Sequence, residues 1–227
     1  MRPTVLLFDI DGTLVSMKGC GRRALARAFA AEFDRPDVYD GFEFAGMTDP
    51  TIIRHGLATA GVPADAAMIA RMLNAYVAHL ADEVRRSTNC FVHPGVETVL
   101  DAGGARANVA IGLGTGNVRA GAQAKLERLD LQHRFAFGGF GCDHEERPRL
   151  LRVGAERGAA RLGVPFEACR VVVIGDTPRD VAAAHAIGAD AVAVATSAFP
   201  VDALRAAGAT WAFPDLTADG VLEAVLG

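Results

Sequence analysis

Val5-Leu6-Leu7-Phe8-Asp9-Ile10-Asp11-Gly12-Thr13-Leu14 passes from wholly apolar to acidic within a few residues. Its first four residues, with Val and Phe among them, read as a strand buried on both faces, as in a parallel sheet. Two carboxylates then stand at the strand's end. A spacing of two places Asp9 and Asp11 on the same side of an extended backbone, and Gly12 lets the chain turn sharply just beyond them. Like charges that close repel. A bound cation, or a proton retained by one partner, must offset the repulsion, and either is chemistry more than architecture.

Outward from this stretch, the second half of the chain alternates apolar strands with amphipathic helices. Val109–Leu113 precedes a helix expected from about Asn117 to Leu126, and Phe135–Phe137 is a short expected strand before a helix from about Pro148 to Leu162. Val171–Ile174 is the clearest strand. Thr177-Pro178 after it supplies an N-cap and a first-turn proline, so a helix is expected to Ile187, closed by Gly188, before a further strand at Ala191–Val194. The alternation predicts an α/β fold, a Rossmann-like parallel sheet with helices on both faces. Between Val15 and Thr88 only helical periodicity is found, as in Met68-Ile69-Met72-Leu73-Tyr76-Leu80, and Thr48-Asp49-Pro50 offers a helix start. The expected organisation is a core of residues 1–15 and 89–227 with a helical insertion, 16–88, hinged near Gly19–Gly21 and Asn89–Pro94.

The 227 residues, about half of them hydrophobic, suffice for a large buried core, and a net charge of -4 points to neither a nucleic-acid backbone nor an anionic membrane as partner. Cys20, Cys90, Cys142 and Cys169 form no paired metal or redox motif and read as the reduced thiols of a cytoplasmic protein. No segment approaches membrane-spanning length. Oligomeric state leaves no mark in the sequence.

In an open parallel sheet, ligands collect beyond the carboxyl ends of the strands. Four features fall there: the Asp9/Asp11 pair, Thr115-Gly116-Asn117 before a helix N-terminus suited to an anion, Arg147-Pro148 opening a helix, and Gly175-Asp176-Thr177-Pro178-Arg179-Asp180. Carboxylates suit a hard cation, and a hydroxyl, backbone amides and an arginine suit a phosphoryl group. The combination points to phosphoryl transfer.

In these four motifs, and in the position of the helical insertion, the chain resembles the haloacid dehalogenase superfamily, in its phosphatase-like branch with a helical cap. The resemblance implies a phosphatase acting on a small phosphorylated metabolite, with Asp9 as nucleophile forming an aspartyl-phosphate and Asp11 as general acid and base. It further implies a magnesium ion (Mg2+) held by the Asp9 carboxylate, the Asp11 backbone carbonyl and Asp176, with Asp180 assisting. Thr115, Gly116 and Asn117 would bind phosphoryl oxygens. The superfamily usually places a lysine where Arg147 stands; a guanidinium can bond two phosphoryl oxygens and keeps its charge, so Arg147 takes that role, its alternative being a surface pair with Glu145 or Glu146. Lys125, about two turns into its helix, is expected to lie too far away, and Lys18 could reach inward from the linker.

A phosphomutase of the β-phosphoglucomutase kind shares these motifs and is the nearest alternative, and a phospho-accepting signalling module is the non-enzymatic one. Gly112–Asn117 imitates a dinucleotide-binding loop but lacks its third glycine and its acidic residue on the ribose. Cys142–Glu146 reads as a solvated loop bordering the pocket, Arg22-Arg23 as an exposed helix start, and His55, His79 and His185 as surface or packing residues. Phe42–Met47 sits where caps of this kind contribute a substrate-facing loop.

Overall fold

The computed structural model describes residues 2–227; Met1, the first residue of the expected core, lies outside them. Strand β1 (Thr4–Phe8) is buried along its whole length. Leu6 and Phe8 pack on one side with Val172, Ile174, Val192 and Val194, while Val5 and Leu7 pack on the other with Leu150, Leu151, Val171 and Val173. An apolar run without alternation therefore serves both faces of the sheet. Next come β2 (Val15–Ser16), three helices, α1 (Cys20–Phe33), α2 (Asp49–Thr59) and α3 (Ala66–Arg86), and then β3 (Phe91–Val92). The chain continues through α4 (Val96–Gly104), β4 (Val109–Gly114), α5 (Arg119–Glu127), β5 (Gly138–Gly139), α6 (Arg147–Arg161) and β6 (Arg170–Gly175). It ends with α7 (Pro178–Ala186), β7 (Asp190–Val194), α8 (Val201–Ala206), β8 (Trp211–Phe213) and α9 (Val221–Leu226).

Six of these strands form one parallel sheet in the order β5-β4-β1-β6-β7-β8. The chain extends the sheet from β1 first in one direction, through β4 and β5, and then in the other, so the strand order reverses at β1. Such a reversal opens a crevice at the carboxyl ends. Phe8 stands level with Leu113 on one neighbour and Ile174 on the other, so Asp9, Thr115 and Asp176 leave the sheet at one edge.

Helices α1 to α3 form the inserted cap. Long α3 buries Ile69, Met72, Tyr76, Leu80 and Val84, the three-and-four spacing of an amphipathic stripe. The cap hangs from an antiparallel ribbon that pairs Val15 with Val92 and Ser16 with Phe91, beside the expected hinges.

One expected strand is displaced. Phe135–Phe137 is not a strand; the pairing with β4 falls at Gly138–Gly139, where a Cβ on Gly138 would come within 2.8 Å of Leu113 Cβ. The phenylalanine rings pack instead, Phe135 edge-on to Phe8 and Phe137 against the bare Cα of Gly112. Helix α4 and the terminal α8, β8 and α9 complete the core without having been foreseen in the sequence. Among the described residues no helix is long and apolar enough to cross a membrane.

Candidate active site

The extended backbone of β1 ends before its two aspartates separate. Asp9 N still bonds to Ile174 O, but the amides of Thr13, Leu14 and Val15 all turn back to Ile10 O. Asp11 therefore sits in a tight turn, and the expectation that both carboxylates project from one side of a strand is corrected. Asp9 is 6% exposed whereas the Asp11 side chain is 44% exposed, each in a different environment. Gly12 makes the turn possible at φ 83°, and a Cβ there would fall 2.3 Å from Asp176 Oδ2.

Asp9 belongs to a buried acidic cluster with Asp176 and Asp180, whose carboxylate oxygens lie within 4.8 Å of one another. Arg147, in the first turn of α6 and itself buried, sets Nη2 3.0 Å from Asp9 Oδ2 and 2.5 Å from Asp180 Oδ1. Its surface alternative is excluded, since Glu145 pairs with Arg54 and Glu146 with Arg149. Asp180 also closes a capping box on α7, accepting from the Thr177 amide and hydroxyl. Thr13 donates to Asp176 Oδ1 at 3.0 Å.

One arginine for three carboxylates leaves negative charge in excess. Burial pushes the Asp9 carboxyl up to about 6, against the pull of Arg147 and with Asp180 and Asp11 adding to the rise. Burial together with Asp180 and Asp9 pushes Asp176 up to about 8. The Arg147 guanidinium is held above its ordinary value despite burial, chiefly by Asp180 and Asp9. Although Nη2 is close to both carboxylates, Arg147 Nε, Nη2 and Asp180 Oδ1 are buried without an aligned hydrogen bond. Hard oxygen donors, surplus negative charge and incompletely bonded polar atoms fit a divalent cation such as magnesium.

A stability signature follows. Between the ordinary carboxylate range and about pH 8, the folded metal-free protein retains protons that the unfolded chain has released, so its stability falls as pH rises. The slope approaches about 1.4 kcal/mol per pH unit for each such group. Thermal unfolding in chelator should show a lower Tm at pH 8 than at pH 5, and magnesium should raise Tm more at pH 8. A Tm unmoved by magnesium at pH 8 would remove the case for a cation among these carboxylates.

Around Asp11 the structure assembles a second group. Asn117 Nδ2 donates to Asp11 Oδ2 and to Thr115 Oγ1, at 3.0 and 2.8 Å. Lys125 Nζ lies 2.5 Å from Asp11 Oδ2 and 2.6 Å from Asn117 Oδ1, and the lysine is 3% exposed. The expectation that Lys125 is too remote is thus corrected: helical side chains lean toward the N-terminus, and this one reaches back over its own first turn. Lys18 holds Nζ over the Phe91 ring.

The helix N-terminus thought open to an anion is partly filled from within. Asp49, at the start of α2, accepts from Val118 N at 2.8 Å, and its own amide donates to Gly116 O at 2.8 Å. Asn117 N bonds to Thr115 Oγ1. Gly116 is pressed against the cap, where a Cβ would lie 2.2 Å from Met47 O. Sequence reasoning took Asp49 only as a helix start; buried without a basic neighbour in sequence, it had to find donors elsewhere.

Cap and core enclose a cavity of about 360 Å³ lined by Asp11, Arg22, Phe44, Asp49, Tyr76 and Lys125 among others. Its cap loop is tied down from several sides. Arg22 and Arg23 are exposed in the first turn of α1, as expected, and both are also engaged: Arg22 donates to the carbonyls of Tyr39 and Phe42 and lies over the Phe44 ring, and Arg23 pairs with Glu83. Arg147 bonds Gly46 O and Arg179 bonds Ala45 O across from the core. Phe44 and Met47 thereby face the cavity, and His55 stacks on Phe42. In the loop after β5, Asp143 pairs with Arg157 and Glu145 with Arg54, which ties it to α6 and to the cap.

Residues 3–188 match the model of the haloacid dehalogenase-like hydrolase family. The chain is 30% identical to the phosphoglycolate phosphatase of Rhodospirillum rubrum, over 96% of this chain and 90% of that one. In fold it is similar to CbbY from Rhodobacter sphaeroides, solved with phosphate, at a TM-score of 0.74 and 19% identity over 99% of both chains. A hydrolase from Pseudomonas syringae superposes with a TM-score of 0.66 at 21% identity, over 94% of each chain. With the motifs at one sheet edge beneath an inserted helical cap, the chain belongs to the haloacid dehalogenase-like hydrolases, in their phosphatase-like branch.

Proposed function

We propose that the protein is a magnesium-dependent phosphatase that hydrolyses a small phosphate monoester through an aspartyl-phosphate. The observation that carries this reading is the placement of buried Asp9 against Arg147 in an acidic cluster, one turn away from Asp11 on the cavity. Asp9 attacks phosphorus; the bond to the leaving oxygen breaks, and Asp11 supplies the proton that oxygen takes up. Asp11 then removes a proton from the water that hydrolyses the acyl phosphate. Arg147 and the Thr115 hydroxyl, with the amides of Gly116 and Asn117, receive the phosphoryl oxygens. Magnesium would be held by Asp9, the Asp11 carbonyl and Asp176, with Asp180 behind them, and when bound it lets an anionic carboxylate meet an anionic phosphate.

In this reading residues 16–88 act as the cap that closes over the substrate, residues 1–15 and 89–227 carry the chemistry, and the enzyme works in the cytoplasm. The relative's phosphoglycolate, and the xylulose-1,5-bisphosphate found with a CbbY mutant, make carboxylated and phosphorylated short-chain esters the first substrates to assay. The pure protein should release phosphate from p-nitrophenyl phosphate with magnesium and lose this on chelation. In labelled water the label must appear in the phosphate product; turnover without it would mean transfer back to an organic acceptor, as in a mutase. Activity indifferent to chelator would overturn the reading.

A further inference from the structure

Lys125 is one of only two lysines in the chain, and it is buried. An ammonium taken out of water is costly unless it is paired. Both of its hydrogen bonds go to the group around Asp11: one to Oδ2 of Asp11, the other to Oδ1 of Asn117. Asn117 in turn donates to the same Asp11 oxygen, so the three side chains close a ring of contacts on Oδ2. The other oxygen, Oδ1, has no hydrogen bond among the described residues, and the Asp11 side chain lines the cavity. The ammonium lines that cavity too. Across from it stands Gly21 in the first turn of α1, where a Cβ would sit 3.9 Å from Lys125 Nζ and 3.6 Å from the Tyr76 hydroxyl. Among the described residues Asp11 is the one carboxylate that forms an ion pair with Lys125.

We infer that Lys125 is the positioning residue of the proton-handling aspartate. With Asn117 it grips Oδ2 and fixes the side-chain rotation of Asp11, which leaves Oδ1 to meet the leaving-group oxygen. This assignment rests on the phosphatase reading above. Asp11 lies in a turn and is half-exposed, so without the grip its carboxylate is free to rotate into solvent. Correct orientation of a reacting group is a large part of what a site contributes to rate. The step served is the first one: the Asp9 oxygen bonds to phosphorus, the P–O bond to the leaving group breaks, and its electron pair takes the proton carried by Asp11.

The leaving group supplies the test. An alkyl alcohol departs only with a proton, whereas p-nitrophenolate departs without one. In Lys125→Met, kcat for an alkyl phosphate such as 2-phosphoglycolate should fall by about 30-fold or more, a large part of the roughly 10²–10⁴-fold that a general acid contributes. With p-nitrophenyl phosphate it should fall less than about 3-fold, and KM for either should move little. Lys125→Gln, which keeps one donor near the same oxygens, should show the same split with a smaller loss. It also serves as the readout if the methionine variant does not fold, as judged by circular dichroism. Equal losses on both substrates would show a merely structural lysine, and no loss on either would show an idle one; both overturn the assignment. A wild-type protein that releases no phosphate from either ester refutes the phosphatase reading instead.

Discussion

Asp9→Asn should abolish turnover while leaving the protein folded and, without metal, more stable. The expected fall in kcat is at least about 10⁴-fold, the scale of losing a nucleophile from a unit whose members act together. Asparagine keeps the shape of the side chain but offers phosphorus no anionic oxygen. Its effect on stability has the opposite sign. The Asp9 carboxyl rises from 3.8 to about 6 because burial, Asp180 and Asp11 together outweigh Arg147, so its ionised form is less welcome here than in water. A neutral amide is free of that penalty, which above pH 6 is on the order of 1–3 kcal/mol. Urea unfolding in chelator at pH 8 should place the variant's midpoint above that of the wild type, and phosphate release should be undetectable beside it. Residual activity within tenfold of wild type would remove Asp9 from the reaction; a destabilised variant would show that the pair with Arg147 dominates the site.

The sheet was legible because its strands announce themselves. Thr4–Phe8, Val109–Gly114, Arg170–Gly175 and Asp190–Val194 are apolar runs too short for helices, and the first three each carry a candidate site residue just past the end. Phe135–Phe137 misled for a physical reason: its rings were needed as packing, and only glycines could bring the backbone beside Leu113. The acidic cluster was legible through register, since Phe8 and Ile174 face each other across β1 and β6 and Asp9 and Asp176 come one and two residues later. What the sequence hid was reach. Lys125 is judged distant when only helix rise is counted, because rise ignores the backward lean and length of a lysine. The signal available was its spacing of eight from Asn117, which stands just ahead of α5, about two turns back along the chain. Asp49 was hidden more deeply, for its partners Val118 and Gly116 are backbone groups of another segment, and no residue type marks them. The same holds for the ribbon of β2 and β3, whose strands have only two residues each.

Arg147 governs the balance of charge at the site, and its substitution should separate charge from geometry. Arg147→Met leaves Asp9, Asp176 and Asp180 buried with no cation among them. Removing one partner of a buried pair costs about 3–5 kcal/mol, since the charge left behind stays uncompensated. That cost should be largest at pH 8 in chelator and shrink toward pH 5, where the carboxylates can take up protons instead; magnesium should recover part of it. Phosphate release should drop by about 10²–10³-fold even with magnesium, the loss expected when a donor to the developing phosphoryl charge is removed. Arg147→Lys should behave differently. A guanidinium is suited to gripping two oxygens with two nitrogens, yet here a single nitrogen, Nη2, approaches both Asp9 Oδ2 and Asp180 Oδ1. A point charge of similar reach can make the same two contacts, so the lysine variant should keep activity within about tenfold. If Arg147→Lys is as inactive as Arg147→Met, the planar fork itself is required, and its remaining nitrogens must engage the phosphoryl group directly. Nε, buried without a hydrogen-bond partner, is the first of these.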